Sequence, residues 1–241
     1  MNTAKRAVIV AAGEGKRMRP VTLTTPKSLV RVNGTRMIDT VIRGLMANGI
    51  GEIYVVVGYL KEQFQVLERE YPGVVTLIEN PWYDSCNNIS SLYAAREHLE
   101  DAIITDADLI IRDPQVLAPE FERSGYNAVW TDEPTDEWLL TVEGGVVASC
   151  RRTGGAHGWQ LFSVSRWSAE DGRRLKKHLE IEFEERHNRD IYWDDVALFR
   201  YPREYRLGVS PMEAGDIVEV DSLAELAALD PGYRKYLDEV K

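Results

Sequence analysis

From residue 7 to residue 108 the chain alternates short, wholly apolar runs with segments whose apolar residues recur at helical spacing, and this alternation restricts the fold more than any other feature. RAVIVAA, EIYVVVG, VVTLIE and AIITDAD are the apolar runs. Ile38, Val41, Ile42, Leu45 and Met46, then Leu60, Phe64 and Leu67, then a segment from Ile89, carry the helical spacing. A strand that is apolar on both faces must be covered on both faces. The pattern therefore predicts an α/β fold with a mostly parallel central sheet and helices on each side. In such sheets ligands collect beyond the carboxyl ends of the strands, which draws attention to AAGEGKR, GYLKEQF, NPWYDSCNN and DADL, the loops that follow the four runs.

After about residue 131 the texture changes. TDEPTDEWLLTVEGGVVASCRR reads as a hairpin turning at Gly144 and Gly145, and GWQLFSV adds a strand. A helix from about Ala169 to Glu184, the segment RDIYWDDVALF and then DIVEVDSLAELAAL follow. We expect one domain over 1–241, with 131–200 an inserted, β-rich region that serves substrate binding.

Composition narrows the function classes. The chain has 241 residues, 44% of them hydrophobic and 28% charged, and no run of 18 apolar residues, so neither disorder nor a membrane span is expected. A net charge of −10 argues against a nucleic-acid partner, whose backbone phosphates call for clustered Lys and Arg. The apolar run Ala7–Ala12 is too short for a secretory core, and Cys86 and Cys150 have no ligand spacing, which makes a reducing cytoplasm the expected setting.

Gly13 and Gly15 directly follow the first apolar run, where small residues let the backbone approach a phosphate. A Walker loop would need Gly at Val10 and Ser or Thr at Arg17, and a dinucleotide fingerprint would need Gly at Met18, so both are excluded. A glycine pair alone is most simply a tight turn. Lys16, Arg17 and, after Pro26, Lys27 add three cations suited to surround a triphosphate and to offset charge on departing pyrophosphate.

VIVAAGEGKRM together with PKSLV resembles the opening signature of the NTP-transferase family of sugar-phosphate and choline-phosphate nucleotidyltransferases. VGYLKEQF, NNISSLY, DAD, EWLL, YWDD and EVDS narrow the likeness to the bacterial CTP:phosphocholine cytidylyltransferase branch. The likeness runs from Val8 to about Leu229 and is weakest between residues 143 and 157. It implies a Rossmann-like nucleotidyltransferase fold, with Ala11, Ala12, Gly13, Gly15 and Lys16 along the nucleotide and Arg17 and Lys27 as catalytic cations. The family carries Ser or Thr where Lys16 stands, so a hydroxyl contact is missing here.

Asp106 and Asp108 are alternate residues at the end of an apolar run, so both carboxylates can face one hard cation such as Mg²⁺. Read alone, they are equally a capped strand end. Asp221 in IVEVDSL ends another strand, or else caps the helix from Leu223. The resemblance implies that Asp108 and Asp221 hold Mg²⁺ with Asp106 in support. Asn87 and Asn88 precede the helix from Ile89; one should cap it, and the resemblance also places them near the nucleotide base. His98, His157, His178 and His187 have no nucleophile partner in the sequence and are expected at the surface.

Trp138 is flanked by Asp136 and Glu137 on its N-terminal side, while Tyr192 and Trp193 precede Asp194 and Asp195. Aromatic faces backed by carboxylates suit a quaternary ammonium, which cannot donate a strong hydrogen bond; core packing is the bland reading of the same residues. The resemblance favours the first. It implies transfer of CMP from CTP to phosphocholine, with Trp138, Tyr192, Trp193 and Asp194 around the trimethylammonium group and Trp159 lining the same cavity or packing beside it. Three rivals remain: a cytidylyltransferase for 2-aminoethylphosphonate or phosphoethanolamine, a sugar-1-phosphate nucleotidyltransferase, and a nucleotide-binding regulatory subunit without turnover.

Overall fold

The computed structural model describes residues 1–237. Its centre is a four-stranded parallel sheet made by the apolar runs: β1 (Arg6–Val10), β2 (Ile53–Val57), β3 (Val75–Glu79) and β4 (Ala102–Asp106), in the spatial order β4-β1-β2-β3. Alternate residues of these strands face opposite cores. Ala7, Ile9, Val55 and Val57 pack with Ile38, Val41, Ile42 and Leu45 of helix α1 (Met37–Ala47) and Leu67 of α2 (Gln65–Glu70). Val8, Val56 and Ile104 face Ile89 and Leu92 of α3 (Ile89–Ala94) on the other side. Each fully buried Val or Ile contributes about 1.5–3 kcal/mol, so the double coverage that apolar runs require is also what holds the sheet.

A short strand β5 (Leu109–Ile111) follows β4, and then β6 (Gly125–Thr131) opens the antiparallel part. The predicted hairpin is β7 (Leu139–Glu143) and β8 (Val146–Arg151), with Gly144 and Gly145 both at positive φ as a tight two-residue turn demands. The ten-residue β9 (Gly158–Trp167) joins the two halves. One edge of it pairs β6 throughout, while the other pairs β7 near Gln160 and β4 from Val164 to Trp167. The strands of 131–200 thus continue the central sheet, and the full sheet of nine strands is mixed.

Helix α4 (Ala169–Glu180) is capped by Ser168 and buries Leu175 and Leu179 in the same core as α3. The helical spacing predicts continuation to Glu184. The chain stays helical over that stretch but widens to a π-helix over Ile181–Glu185, where Glu182 is buried and tied to Asn188, Arg186 and Tyr201. Val196–Arg200 forms a second π-turn. His178 departs from the expected surface position: it is buried, its ring stacked on Tyr201 at 3.7 Å and its Nδ1 2.8 Å from the Tyr205 hydroxyl. His98 is half-buried and stacked on Tyr54 at 3.7 Å. In both cases an aromatic neighbour covers the ring.

The chain then forms β10 (Gly208–Pro211), β11 (Ile217–Glu219) and α5 (Leu223–Leu229). β11 pairs antiparallel with β5 in the register Glu219↔Leu109, and the Val220 amide donates to the Asp108 carbonyl. Met18, Val30, Met37, Val220, Leu223 and Leu226 form a third core that fastens the first loop to α5. Among the described residues no helix is long and apolar enough to cross a membrane.

Candidate active site

The glycine loop, the end of β4 and the end of β11 meet at a cleft of about 570 Å³. It lies beyond the carboxyl ends of β1 and β4, where strand polarity directs a ligand site. Gly15 holds a left-handed backbone at φ 62°, and a Cβ there would come within 2.9 Å of the Lys27 Cβ. The glycine therefore serves to bring Lys27 against the loop. The Thr22 hydroxyl closes the turn by donating to the Gly15 carbonyl at 2.8 Å.

Lys27 is the hub. Its Nζ donates to Asp108 Oδ2 at 2.5 Å and to Asp221 Oδ1 at 2.7 Å, and Arg17 Nη2 reaches the same Asp221 oxygen at 2.9 Å. Burial alone would lower the Lys27 pKa, but Asp108 and Asp221 outweigh it and keep the ammonium charged. Burial likewise opposes ionisation of Asp221, yet the bonds and charges of Lys27 and Arg17 hold its pKa below the ordinary value. Asp221 does not cap α5. Ser222 takes that position in a full capping box with Glu225, which leaves the Asp221 carboxylate free for the cleft.

Glu219 completes the acidic group and was not among the expected residues. Asp108, Glu219 and Asp221 each place an oxygen within 4.8 Å of the others. The signal was present in the sequence: Glu219 and Asp221 are alternate residues at a strand end, the same spacing that singles out Asp106 and Asp108. Burial first, and then the charges of Asp108, Asp221 and Glu137, push Glu219 up to about 8. The donor set is all carboxylate, and Asp108 Oδ1 is buried without a protein partner, which fits a hard divalent cation. Asp106 stands apart from this group on the strand end proper. Its pKa is driven well above the carboxylate range by burial, then by Asp108 and Asp194.

Ala11, Gly13, Gly15, Lys16 and Arg17 line the cleft, although Lys16 points outward to Glu14 at 3.4 Å. A second hollow of about 310 Å³ adjoins it, sharing Val10, Gly13, Asp106 and Asp108, and is walled by Ala12, Asn80, Asn87, Asn88 and Ser90. Neither asparagine side chain caps α3. Asn87 Oδ1 accepts from the Asn88 amide at 2.7 Å, and Asn88 Oδ1 accepts from the Trp193 amide at 2.9 Å. They anchor the 187–195 loop instead: besides the bond from Trp193, Asn87 Nδ2 donates to the Asp190 carbonyl at 3.2 Å.

The aromatic residues separate. Trp138 meets Tyr192 and Phe199 edge to face, each at 5.7 Å, and Tyr192 lines the cleft. Trp193 departs from this group: it is buried between Tyr126 and Trp167, because successive residues on this turn point to opposite sides. Trp159 pairs with Trp130 at 5.5 Å and lines neither hollow. Asp194 Oδ1 and the Tyr126 hydroxyl are buried neighbours, yet neither completes a hydrogen bond of ordinary geometry. Burial first, then the charge of Asp195, raise the Asp194 pKa to about 7, against the lowering influence of Tyr126. A residue that the sequence does not mark also sits here. The Arg152 guanidinium lies 4.2 Å from the Phe199 ring centre and 5.3 Å from that of Trp138, and forms an ion pair with Asp195.

The family model of the MobA-like NTP transferase domain matches residues 7–171. The chain is 43% identical over 229 residues to a 2-aminoethylphosphonate cytidylyltransferase of Lancefieldella rimae, covering 94% of this chain and 92% of that one. It is 32% identical to a choline-phosphate cytidylyltransferase of Streptococcus pneumoniae, covering 93% of this chain and 96% of that one. The solved CTP:phosphocholine cytidylyltransferase of Streptococcus pneumoniae superimposes with a TM-score of 0.85 at 33% identity, over 98% of this chain and 99% of that one. The chain therefore belongs to the MobA-like NTP transferase domain family and is a nucleotidyltransferase.

Proposed function

We propose that the protein transfers CMP from CTP to a small acceptor that carries a phosphonate or phosphate at one end and a primary ammonium at the other, with 2-aminoethylphosphonate as the first choice. The observation that carries the acceptor assignment is the Asp194 carboxylate, whose buried Oδ1 has only the Tyr126 hydroxyl as a neighbouring donor. A primary ammonium supplies further donors to that carboxylate, whereas a trimethylammonium group has none. The 43% identity to a protein named for that acceptor supports the same choice. Phosphocholine is the second reading, supported by the exposed Tyr192 ring on the cleft wall and by the pneumococcal relatives.

In this reading an acceptor oxygen forms a bond to the α-phosphorus of CTP while the bond from that phosphorus to the bridging oxygen breaks and pyrophosphate leaves. Arg17 and Lys27 hold the triphosphate and offset the charge that accumulates on the leaving group. Asp108 and Asp221, with Glu219 beside them, would hold Mg²⁺, which when bound supplies further positive charge to the phosphates. Ala11, Gly13, Gly15 and Lys16 follow the phosphates. The hollow walled by Asn80, Asn87 and Asn88 receives the base, and residues 131–200 supply the acceptor side. Positioning is the main contribution of the chain, since a phosphonate oxygen is already a competent nucleophile.

A pyrophosphate-release assay with CTP, Mg²⁺ and a panel of acceptors tests this. We expect kcat/KM for 2-aminoethylphosphonate to exceed that for glucose 1-phosphate by about two orders of magnitude or more, since a buried carboxylate left unpaired penalises the wrong acceptor. Asp108→Asn should lose about 10²-fold or more in kcat with an unchanged melting temperature. Turnover of sugar phosphates alone would reject the acceptor, and a wild-type protein that binds CTP but releases no pyrophosphate would be a regulatory module.

A further inference from the structure

The ring cluster beside the cleft already holds a cation. Trp138, Tyr192 and Phe199 form a corner of three rings, with Trp138 nearly perpendicular to each of the others. The Arg152 guanidinium rests against two of them, close enough for cation–π attraction. Its charge is matched by Asp195, whose side chain is only 2% exposed and whose other oxygen accepts the Tyr192 amide at 3.1 Å. The faces of Phe199 and Trp138 and the Asp195 carboxylate are therefore engaged within the protein, while the Tyr192 ring faces the cleft.

We propose that Arg152 is a specificity-determining residue: it fills the ring pocket with an internal cation, so that quaternary ammonium acceptors are excluded and primary ammonium acceptors are directed to Asp194. An incoming trimethylammonium group would have to expel the guanidinium from two rings, leave Asp195 buried without its partner, and do so against like-charge repulsion. A primary ammonium needs none of this, because its hydrogen bonds are satisfied elsewhere. The filter is thus a repulsive element, which separates two acceptors of equal phosphoryl chemistry more effectively than added attraction for one of them. Arg152 lies just past the end of β8, within the stretch 143–157 where the likeness to the choline-phosphate branch is weakest. Its side chain is 44% exposed, so its removal opens the pocket without hollowing the core.

The inference rests on the acceptor reading above, and its test is separable from it. Arg152→Met removes the charge, and Arg152→Met/Asp195→Asn removes the carboxylate that the single change leaves uncompensated. Two quantities are measured on wild type and both variants: the ratio of kcat/KM for phosphocholine to that for 2-aminoethylphosphonate, and choline binding by calorimetry, which needs no turnover. We expect the ratio to rise about tenfold or more, and choline binding to strengthen by a similar factor, in at least the double variant. A general loss of structure would lower both rates together and leave the ratio unmoved. The filter is overturned if folded variants keep the wild-type ratio and choline affinity, or if wild type binds choline as tightly as they do. If wild type turns over neither amine, the acceptor reading fails while the calorimetry still decides whether Arg152 blocks the rings.

Discussion

Asp194 titrates where it can be observed. Folding raises its pKa from 3.8 to about 7, through burial first and the Asp195 charge second. An acid whose pKa rises on folding stabilises the protein below its unfolded value, and that contribution fades as pH climbs through the folded value. The loss between about pH 4 and pH 7 amounts to at most about 4 kcal/mol. Asp194→Asn should therefore flatten the decline in melting temperature over that interval, so that the variant gains on wild type at pH 7.5. In kinetics the sign reverses, because the ionised form attracts an ammonium: kcat/KM for 2-aminoethylphosphonate should climb as pH passes about 7 and lose that climb in Asp194→Asn. A variant with the wild-type pH profile would remove Asp194 from the acceptor site. At this scale the sequence shows which residue types can do chemistry, as with Lys27, Asp108 and Asp221. It does not show their orientation. Tyr192 and Trp193 are adjacent letters with opposite destinations, and Arg152 has no local pattern at all, since its partners Asp195 and Phe199 lie more than forty residues further along the chain.

Helix α5 illustrates how an element serves the cleft without entering it. Ser222 and Glu225 form its capping box, and Glu225 Oε2 also accepts the Asp221 amide at 2.7 Å. The cap therefore fixes the backbone of the residue whose carboxylate meets Lys27. Ser222→Ala and Glu225→Ala should each cost about 1 kcal/mol and about 2–4 °C in melting temperature. Only Glu225→Ala also frees the Asp221 amide, so its kcat should fall severalfold further than that of Ser222→Ala, with Glu225→Gln retaining activity. Equal kcat in the two alanine variants would confine the cap to stability. Periodicity identified the four central strands, the Gly144–Gly145 hairpin and α1, because in each the side-chain repeat is set by a core on known faces. The helix expected over Ala169–Glu184 is also present, but its backbone widens from α to π at Ile181, beside the buried Glu182, a detail that no local repeat encodes.

The architecture as a whole joins distant parts of the chain at one point. Four parallel strands position the glycine loop, and β9 ties the hairpin to the same sheet, a connection that the alternation of the sequence implied only in outline. The two bonds from Lys27 span 81 and 194 residues of sequence. Closing such long loops is entropically demanding, and chains dominated by distant pairings assemble slowly. During refolding from denaturant, helical circular dichroism should thus recover ahead of pyrophosphate release, and simultaneous recovery of both would contradict this order. A partly folded molecule with most of its secondary structure in place would have no means of spending CTP, so competence arrives only with the finished form.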